Sequence, residues 1–156
     1  MRAVVQRVLR SEVTINRDCG QESRGIGPGL TVLLGVLEGD KEQEAAVLAE
    51  KVSGLRIFSD ANDKMNLSLD DIGGQVLVIS NFTLATDCKK GRRPSFDMAA
   101  PPEQAKRLYE LFVKKLLELG HTVVTGEFGA DMRVDIENDG PVTIILDTDK
   151  LAIKSR

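Results

Sequence analysis

The chain of 156 residues has a single histidine and two cysteines, and each shortage closes off a kind of chemistry. Cys19 and Cys88 are too few and too isolated for a disulfide framework or a zinc site, and a reducing compartment suits them. Zinc hydrolases draw on several His or Cys ligands that this chain does not have. A Ser-His-Asp or Cys-His nucleophile system would have to use His121. That residue follows Gly120 at the expected end of a helix, where it reads as a surface residue compatible with the helix dipole. The expectation is therefore no metal and no cofactor. Long apolar runs are also missing: "TVLLGVL" at 31–37 falls well short of the roughly 20 residues of a membrane span. The opening "MRAVVQRVLRSEVTI" carries Arg2, Arg7, Arg10 and Glu12 at strand-like spacing, unlike a signal peptide. A cytoplasmic protein without membrane contact is expected. Nor is there an excess of cations, since 21 Lys and Arg face 24 Asp and Glu for a net charge of -3. That excludes coating nucleic acid by bulk electrostatics and leaves room for a local basic patch.

What is present is ordinary for one globular domain with a real core: 42% hydrophobic and 29% charged residues, with no repeat or linker. Ala3, Val5, Arg7 and Leu9 alternate with Val4, Gln6 and Val8, which is a strand. Gly25, Gly27, Pro28 and Gly29 make a turn before the strand "LTVLLGV". Asp40 is the predicted cap of a helix over 41–54, with Gln43 placed to complete a capping box. Ala45, Leu48, Val52 and Leu55 give that helix its inward face. "LRIFSD" reads as a short strand, "DANDKMNLSLDDIGG" as a polar loop, and "QVLVISNFTL" as the most apolar strand. A second helix over 102–119, opened by Pro101 and Pro102, buries Ala105, Leu108, Tyr109, Phe112, Leu116 and Leu119. Strands at 121–126, 130–137 and 142–147 complete a domain over 1–148, and 149–156 is a polar tail. Two helices against many strands, the last ones consecutive, indicate an α+β fold rather than a doubly wound one.

Three stretches can carry chemistry. "ENDGPVTIILDT" at 137–148 reads as strand, sharp turn and strand, yet Gly140 precedes Pro141 where a tight hairpin places its glycine last. A Gly-Pro pair lacks side-chain bulk, and an X-Pro bond is where a cis peptide costs little. "SNFTLATD" at 80–87 puts Ser80, Asn81, Thr83, Thr86 and Asp87 just past a buried strand, where a rigid scaffold presents functional groups. Neither Ser80 nor Thr83 has a histidine or lysine base nearby in sequence, so these hydroxyls suit binding and orientation better than covalent attack. "KKGRRPSF" sets Lys89, Lys90, Arg92 and Arg93 around Gly91, a credible contact for a phosphate backbone. Phe96 beside them either packs beneath the loop or stacks on a base.

Together these stretches resemble the D-aminoacyl-tRNA deacylases, the D-tyrosyl-tRNA(Tyr) deacylase family, from "MRAVVQRV" to "GPVTIILDT". The family's two motifs, Ser-Gln-Phe-Thr-Leu and Asn-x-Gly-Pro-x-Thr, fall on Ser80–Leu84 and Asn138–Thr143. Asn81 departs from the pattern, keeping the amide and losing one methylene of reach. The resemblance implies a single-domain α+β fold, a mixed sheet or barrel-like β-roll packed with two main helices. It implies hydrolysis of the ester of D-aminoacyl-tRNA, and of glycine mischarged on tRNA(Ala), without metal and with help from the ribose 2′-OH. Thr83 as covalent nucleophile is the rival route. Ser80, Asn81, Phe82 and Thr83 would form the catalytic end, with backbone N–H groups near Phe82 and Thr83 as oxyanion donors. Gly140 and Pro141, joined by a cis peptide, would bind the substrate's amino group from the neighbouring subunit of a homodimer. Asn138, Thr143 and Arg7 would complete that substrate-binding turn, and residues 89, 90, 92 and 93 would hold tRNA. The alternative is a non-catalytic tRNA-binding module using the 89–93 loop.

Overall fold

Among residues 1–89 and 91–151, which the computed structural model describes, eight strands and two α-helices follow one another. They are β1 (Arg2–Arg17), β2 (Gly20–Ile26), β3 (Gly29–Gly35), α1 (Glu42–Ser53), β4 (Phe58–Ser59), β5 (Met65–Leu67), β6 (Gln75–Ser80), α2 (Pro102–Glu118), β7 (Thr122–Thr125) and β8 (Met132–Asp147). Six strands form one mixed sheet in the order β2-β1-β3-β6-β7, with β8 on the other edge of β1. The β3–β6 and β6–β7 pairs are parallel; the pairs made by β1 are antiparallel. The Arg24 guanidinium on β2 reaches across to donate to the Thr125 carbonyl of β7 at 3.0 Å. The result is a sheet nearly closed into a barrel, with two helices packed against it.

β1 organises the molecule because it is long enough to have three partners. Its first half pairs β3, its second half pairs β2, and β8 runs along it from end to end. Its side-chain parity changes on the way. Ala3 and Val5 are buried in one core, whereas Val8, Val13 and Ile15 are buried in the other. The switch lies at a bulge: Val8 pairs Asn138 and Arg10 already pairs Glu137, so Leu9 is the extra residue. An extra residue in a pattern of period two sends every later side chain to the opposite face. Leu9, which the alternation groups with Ala3 and Val5, is 51% exposed for that reason.

The helices cover one face of the sheet, Leu48, Val52, Leu108, Phe112 and Leu116 packing on Val5, Val32, Val76 and Val78. Leu77 and Ile79 point the other way, into the cluster with Val13, Ile15 and Ile26. A strand buried on both faces has to be apolar throughout, which accounts for "VLVI" in β6. Phe112, fully buried, is a residue whose truncation to alanine costs about 3–5 kcal/mol.

Several local expectations change. Asp40 does not cap α1; Lys41 holds that position and its N–H donates to Glu44, not Gln43, at 2.8 Å. The Asp40 carboxylate instead accepts from the Met1 ammonium at 2.6 Å and from the Leu37 N–H at 2.6 Å. A buried charge pair outcompetes a helix cap that the chain supplies elsewhere. Gly25 lies within β2, a strand that the glycine spacing concealed. Part of the supposed polar loop pairs with β4 as β5. The "SNFTL" stretch leaves the sheet at Ser80 and turns into a 3-10 helix over Phe82–Leu84. Leu119 falls past the end of α2 and is 43% exposed. The expected tail starts inside a 3-10 turn, Thr148–Lys150, and Leu151 packs against the core; its last five residues lie outside the described ones.

Candidate active site

The Gly140–Pro141 pair does not reverse the chain. β8 is one strand, and both of its halves run antiparallel to β1. Gln6 pairs Thr143 and Val8 pairs Asn138, so residues 139–142 oppose Arg7 alone. The four residues bulge off the sheet because the ladder has no partners for them. Their peptide Gly140–Pro141 is cis, and Gly140 has φ +138°. Three side chains stand in for the missing ladder bonds. The Asn138 amide accepts from the Val142 N–H at 2.9 Å and donates to its carbonyl at 3.0 Å. Gln6 donates to the Thr143 hydroxyl at 3.1 Å. Arg7 lies beneath, giving Nε to the Asp139 carbonyl at 3.1 Å and Nη1 to the Ile57 carbonyl at 2.7 Å. Its Nε is also 3.1 Å from the Asp139 carboxylate. These bonds leave Gly140 and Pro141 exposed as bare main chain. Gln6 is a further participant that nothing in the sequence marks, because it meets Thr143 only once β1 and β8 pair.

Ser80 ends β6 beside Leu34 of β3. The Asn81 N–H donates to the Leu34 carbonyl at 2.8 Å, which ties the turn to the sheet. Asn81 and Thr83 are joined, since the Thr83 hydroxyl donates to the Asn81 amide oxygen. A hydroxyl given to an amide oxygen has no base to take its proton, which leaves Thr83 without the activation a nucleophile needs. Among the described residues, neither Phe82 N–H nor Thr83 N–H meets a protein acceptor. They are the free donors that the start of any helical turn leaves over. Gly35 explains how closely the turn sits on β3: a Cβ there would lie 2.8 Å from Leu84 Cβ and 3.1 Å from the Asn81 carbonyl oxygen.

A cavity of about 600 Å³ opens beside this turn. Ser80, Asn81 and Phe82 form one wall, and Phe96, Pro102, Phe128 and Met132 line the apolar remainder. The Phe82 and Phe96 rings meet edge to face with centroids 5.2 Å apart. Tyr109 supports Phe128 from below, ring to ring at 6.0 Å, and donates its hydroxyl to the Val78 carbonyl at 3.0 Å. Burial pushes that phenol up to about 12, so Tyr109 is a neutral donor at ordinary pH and no base.

The two motifs stay apart within one chain. Ser80 is level with Leu34 and Ala3, whereas the bulge is level with Arg7. Four residues along β1 and three strand spacings across come to a path of roughly 20 Å along the sheet. Residues 138–143 take no part in lining the cavity.

The basic loop hangs from a narrow neck. Asp87 and Ser95 exchange backbone bonds of 2.9 Å in each direction. Lys89 faces Asp87 at 3.7 Å, and Arg92 and Arg93 are exposed and make no ion pair among the described residues. Lys90, expected beside them, lies outside the described residues.

His121 is not the surface residue expected. It is 6% exposed, with Nε2 2.6 Å from the Ser53 hydroxyl and Nδ1 3.2 Å from the Asp70 carboxylate. The order Ser-His-Asp matches a hydrolase triad, but Ser53 is the last residue of α1, at the carbonyl end of a helix dipole. That field opposes an oxyanion, and the nearby N–H groups of Gly54 and Leu55 are already bonded to Glu50 and Val52. The three residues pin α1, the 68–73 turn and β7 together. Among the described residues no group of three His, Cys, Asp or Glu side chains is placed to hold a metal, and no helix is long and apolar enough to cross a membrane.

The family model described as D-Tyr-tRNA(Tyr) deacylase matches residues 4–147. A D-aminoacyl-tRNA deacylase of Clostridioides difficile is 57% identical over 151 residues, covering 96% of this chain and 99% of its own. One of Heliobacterium modesticaldum is 55% identical over 147 residues, covering 94% and 96%. Among solved structures, the c-Myc DNA Unwinding Element Binding Protein aligns with a TM-score of 0.86 at 40% identity, over 94% of this chain and 98% of its own. A probable eukaryotic D-amino acid tRNA deacylase shares the fold, with a TM-score of 0.78 at 16% identity over 93% and 97%. The matched segment holds the turn after β6 and the bulge in β8 alike, and the chain belongs to the D-aminoacyl-tRNA deacylases, hydrolases of the ester bond of aminoacyl-tRNA.

Proposed function

We propose that the enzyme acts as a symmetric homodimer in which the Gly140–Pro141 bulge of each subunit completes the other's cavity. The observation that carries this reading is that residues 138–143 take no part in lining the cavity, the two motifs lying roughly 20 Å apart along the sheet. An ester carbonyl and its α-amino group are neighbours, so one chain cannot hold both with these two elements. Ile145, 75% exposed on β8 near the bulge, supports a buried surface there. The dimer acts on tRNA in the cytoplasm.

In the assembled site the carbonyls of Gly140 and Pro141 accept from the α-ammonium group. The N–H groups of Phe82 and Thr83 receive the oxyanion, and Ser80 and Asn81 orient the ester. The terminal adenosine fits the apolar cavity against Phe128, and Arg92 and Arg93 with Lys89 and Lys90 hold the phosphate chain. Asn138, Thr143 and Arg7 serve the substrate indirectly, by holding the bulge. Water adds to the ester carbonyl as the ribose 2′-OH accepts its proton and hands its own on to the neighbouring 3′-oxygen. The tetrahedral intermediate then expels that oxygen as a hydroxyl, and D-amino acid and tRNA part. The ester is already reactive, so orientation and oxyanion stabilisation suffice without a protein nucleophile or a metal.

Selectivity follows from pinning two substituents of the α-carbon with main chain. A D-residue sends its side chain outward, whereas an L-residue drives its Cβ into the bulge. Glycine has no Cβ to exclude, so glycyl-tRNA(Ala) is also cleaved. Release from D-Tyr-, D-Asp-, Gly- and L-Ala-tRNA, with and without EDTA, tests the whole reading. The first three are expected to be hydrolysed and to survive the chelator. Rapid L-Ala release with inert Gly would sink the exclusion model, loss on chelation restored by zinc would overturn the metal-free route, and binding without release would leave a tRNA-binding module.

A further inference from the structure

The basic loop and the turn after β6 are joined by a contact that neither tRNA binding nor ester hydrolysis has so far used. Loop residues 87–95 leave and return through the Asp87–Ser95 bridge. Phe96 is the next residue after that neck, with its carbonyl accepting from the Ala99 N–H at 2.9 Å. Its ring is edge-on to Phe82, 5.2 Å away at 64°. Phe82 carries one of the two free N–H groups of the turn and is 59% exposed, and Phe96 is 39% exposed. Two phenyl rings left this open gain little from burial, so their mutual orientation is set by the edge-to-face contact. Phe96 thus lies between the neck of the loop and the residue whose N–H is free, in contact with both.

We infer that Phe96 is a positioning residue: it transmits engagement of Arg92 and Arg93 by phosphates to Phe82, so the site is set by the RNA chain as well as by the ester. The inference rests on the deacylase reading above for its kinetic consequence, and on ring geometry alone for its structural one. It predicts discrimination by substrate length. A 3′-D-tyrosyl-adenosine fragment reaches the cavity but not the loop, and forgoes the benefit of the contact.

The test uses full-length protein carrying 4-fluorophenylalanine, with the Phe82 resonance assigned by its loss in Phe82→Leu. The probe is an RNA acceptor-stem duplex lacking the single-stranded 3′ end, which can meet the loop cations and cannot enter the cavity. The duplex is expected to shift the Phe82 resonance in wild type and in Phe96→Tyr, which keeps the ring edge, and not in Phe96→Leu. In kinetics, Phe96→Leu should lower kcat on D-Tyr-tRNA by about tenfold, with KM held within twofold. On the fragment, which meets Phe96 only as cavity wall, the variant should lose at least threefold less kcat than it loses on tRNA. A Phe82 resonance that ignores the duplex in wild type, or that shifts equally in Phe96→Leu, overturns the inference. Equal kcat losses on tRNA and fragment do the same, since they make Phe96 part of the cavity wall only. A wild type that shows the duplex shift yet releases no D-tyrosine refutes the deacylase reading and leaves the coupling standing.

Discussion

Replacing Gly140 by alanine perturbs the bulge at the point where it exposes bare main chain. A Cβ built there would lie 2.8 Å from Val142 Cγ2, 2.8 Å from the Val142 nitrogen and 3.2 Å from Arg7 Nη2. The Val142 nitrogen cannot yield freely, because its N–H is held by Asn138 at 2.9 Å. Gly140 also has φ +138°, a region that L side chains rarely adopt, at about 1–3 kcal/mol for a strained backbone. The two terms together favour a rearranged bulge by about 2–4 kcal/mol. If the bulge contacts the substrate, that energy appears as a loss of roughly 30- to 1,000-fold in kcat/KM on D-Tyr-tRNA. Global stability should fall less, because the bulge is exposed and lies off the ladder. Gly39→Ala is the control: its φ is +87° with nothing within 4 Å of the added Cβ, so it carries backbone strain without the collision, away from the site. The measurements are single-turnover deacylation and urea denaturation of both variants. A Gly140→Ala enzyme within threefold of wild type would refute the reasoning, as would equal activity losses in both variants.

Arg7→Met should remove the bonds to the Ile57 and Asp139 carbonyls, lowering unfolding stability by about 2–3 kcal/mol and deacylation with it; denaturation midpoints unchanged from wild type would contradict that. The raised Tyr109 phenol makes the fold sensitive to alkali. Its stabilising contribution is complete below the unfolded value of 10.0 and is lost as pH rises toward about 12, on the order of 2–3 kcal/mol over two units. Denaturation from pH 9 to 12 should show the slope in wild type and lack it in Tyr109→Phe. Arg92→Ala/Arg93→Ala should weaken tRNA binding and flatten its log–log salt slope by about 1–2; an unchanged slope would make the loop a solvated surface.

The helices and the central strand were legible because each is defined by its own residues. Period 3.6 marks Leu108, Tyr109, Phe112 and Leu116, and a run of apolar residues marks β6; burial later selects what the pattern already offered. The motif residues were legible too, since Ser80–Leu84 and Asn138–Thr143 are contiguous in sequence. The course of the chain around them was not. Whether it reverses at Gly140 depends on which strand receives residues 142–147, and β1, more than 130 positions earlier, takes both halves of β8. The same holds for Leu9, exposed by a bulge that exists only against a partner strand, and for His121, buried where Ser53 at the end of α1 and Asp70 in the 68–73 turn meet it. Sequence by itself determined which groups are available and which local elements carry them. Tertiary structure decided their separation, because pairing register and strand order set distances that neither propensity nor periodicity encodes.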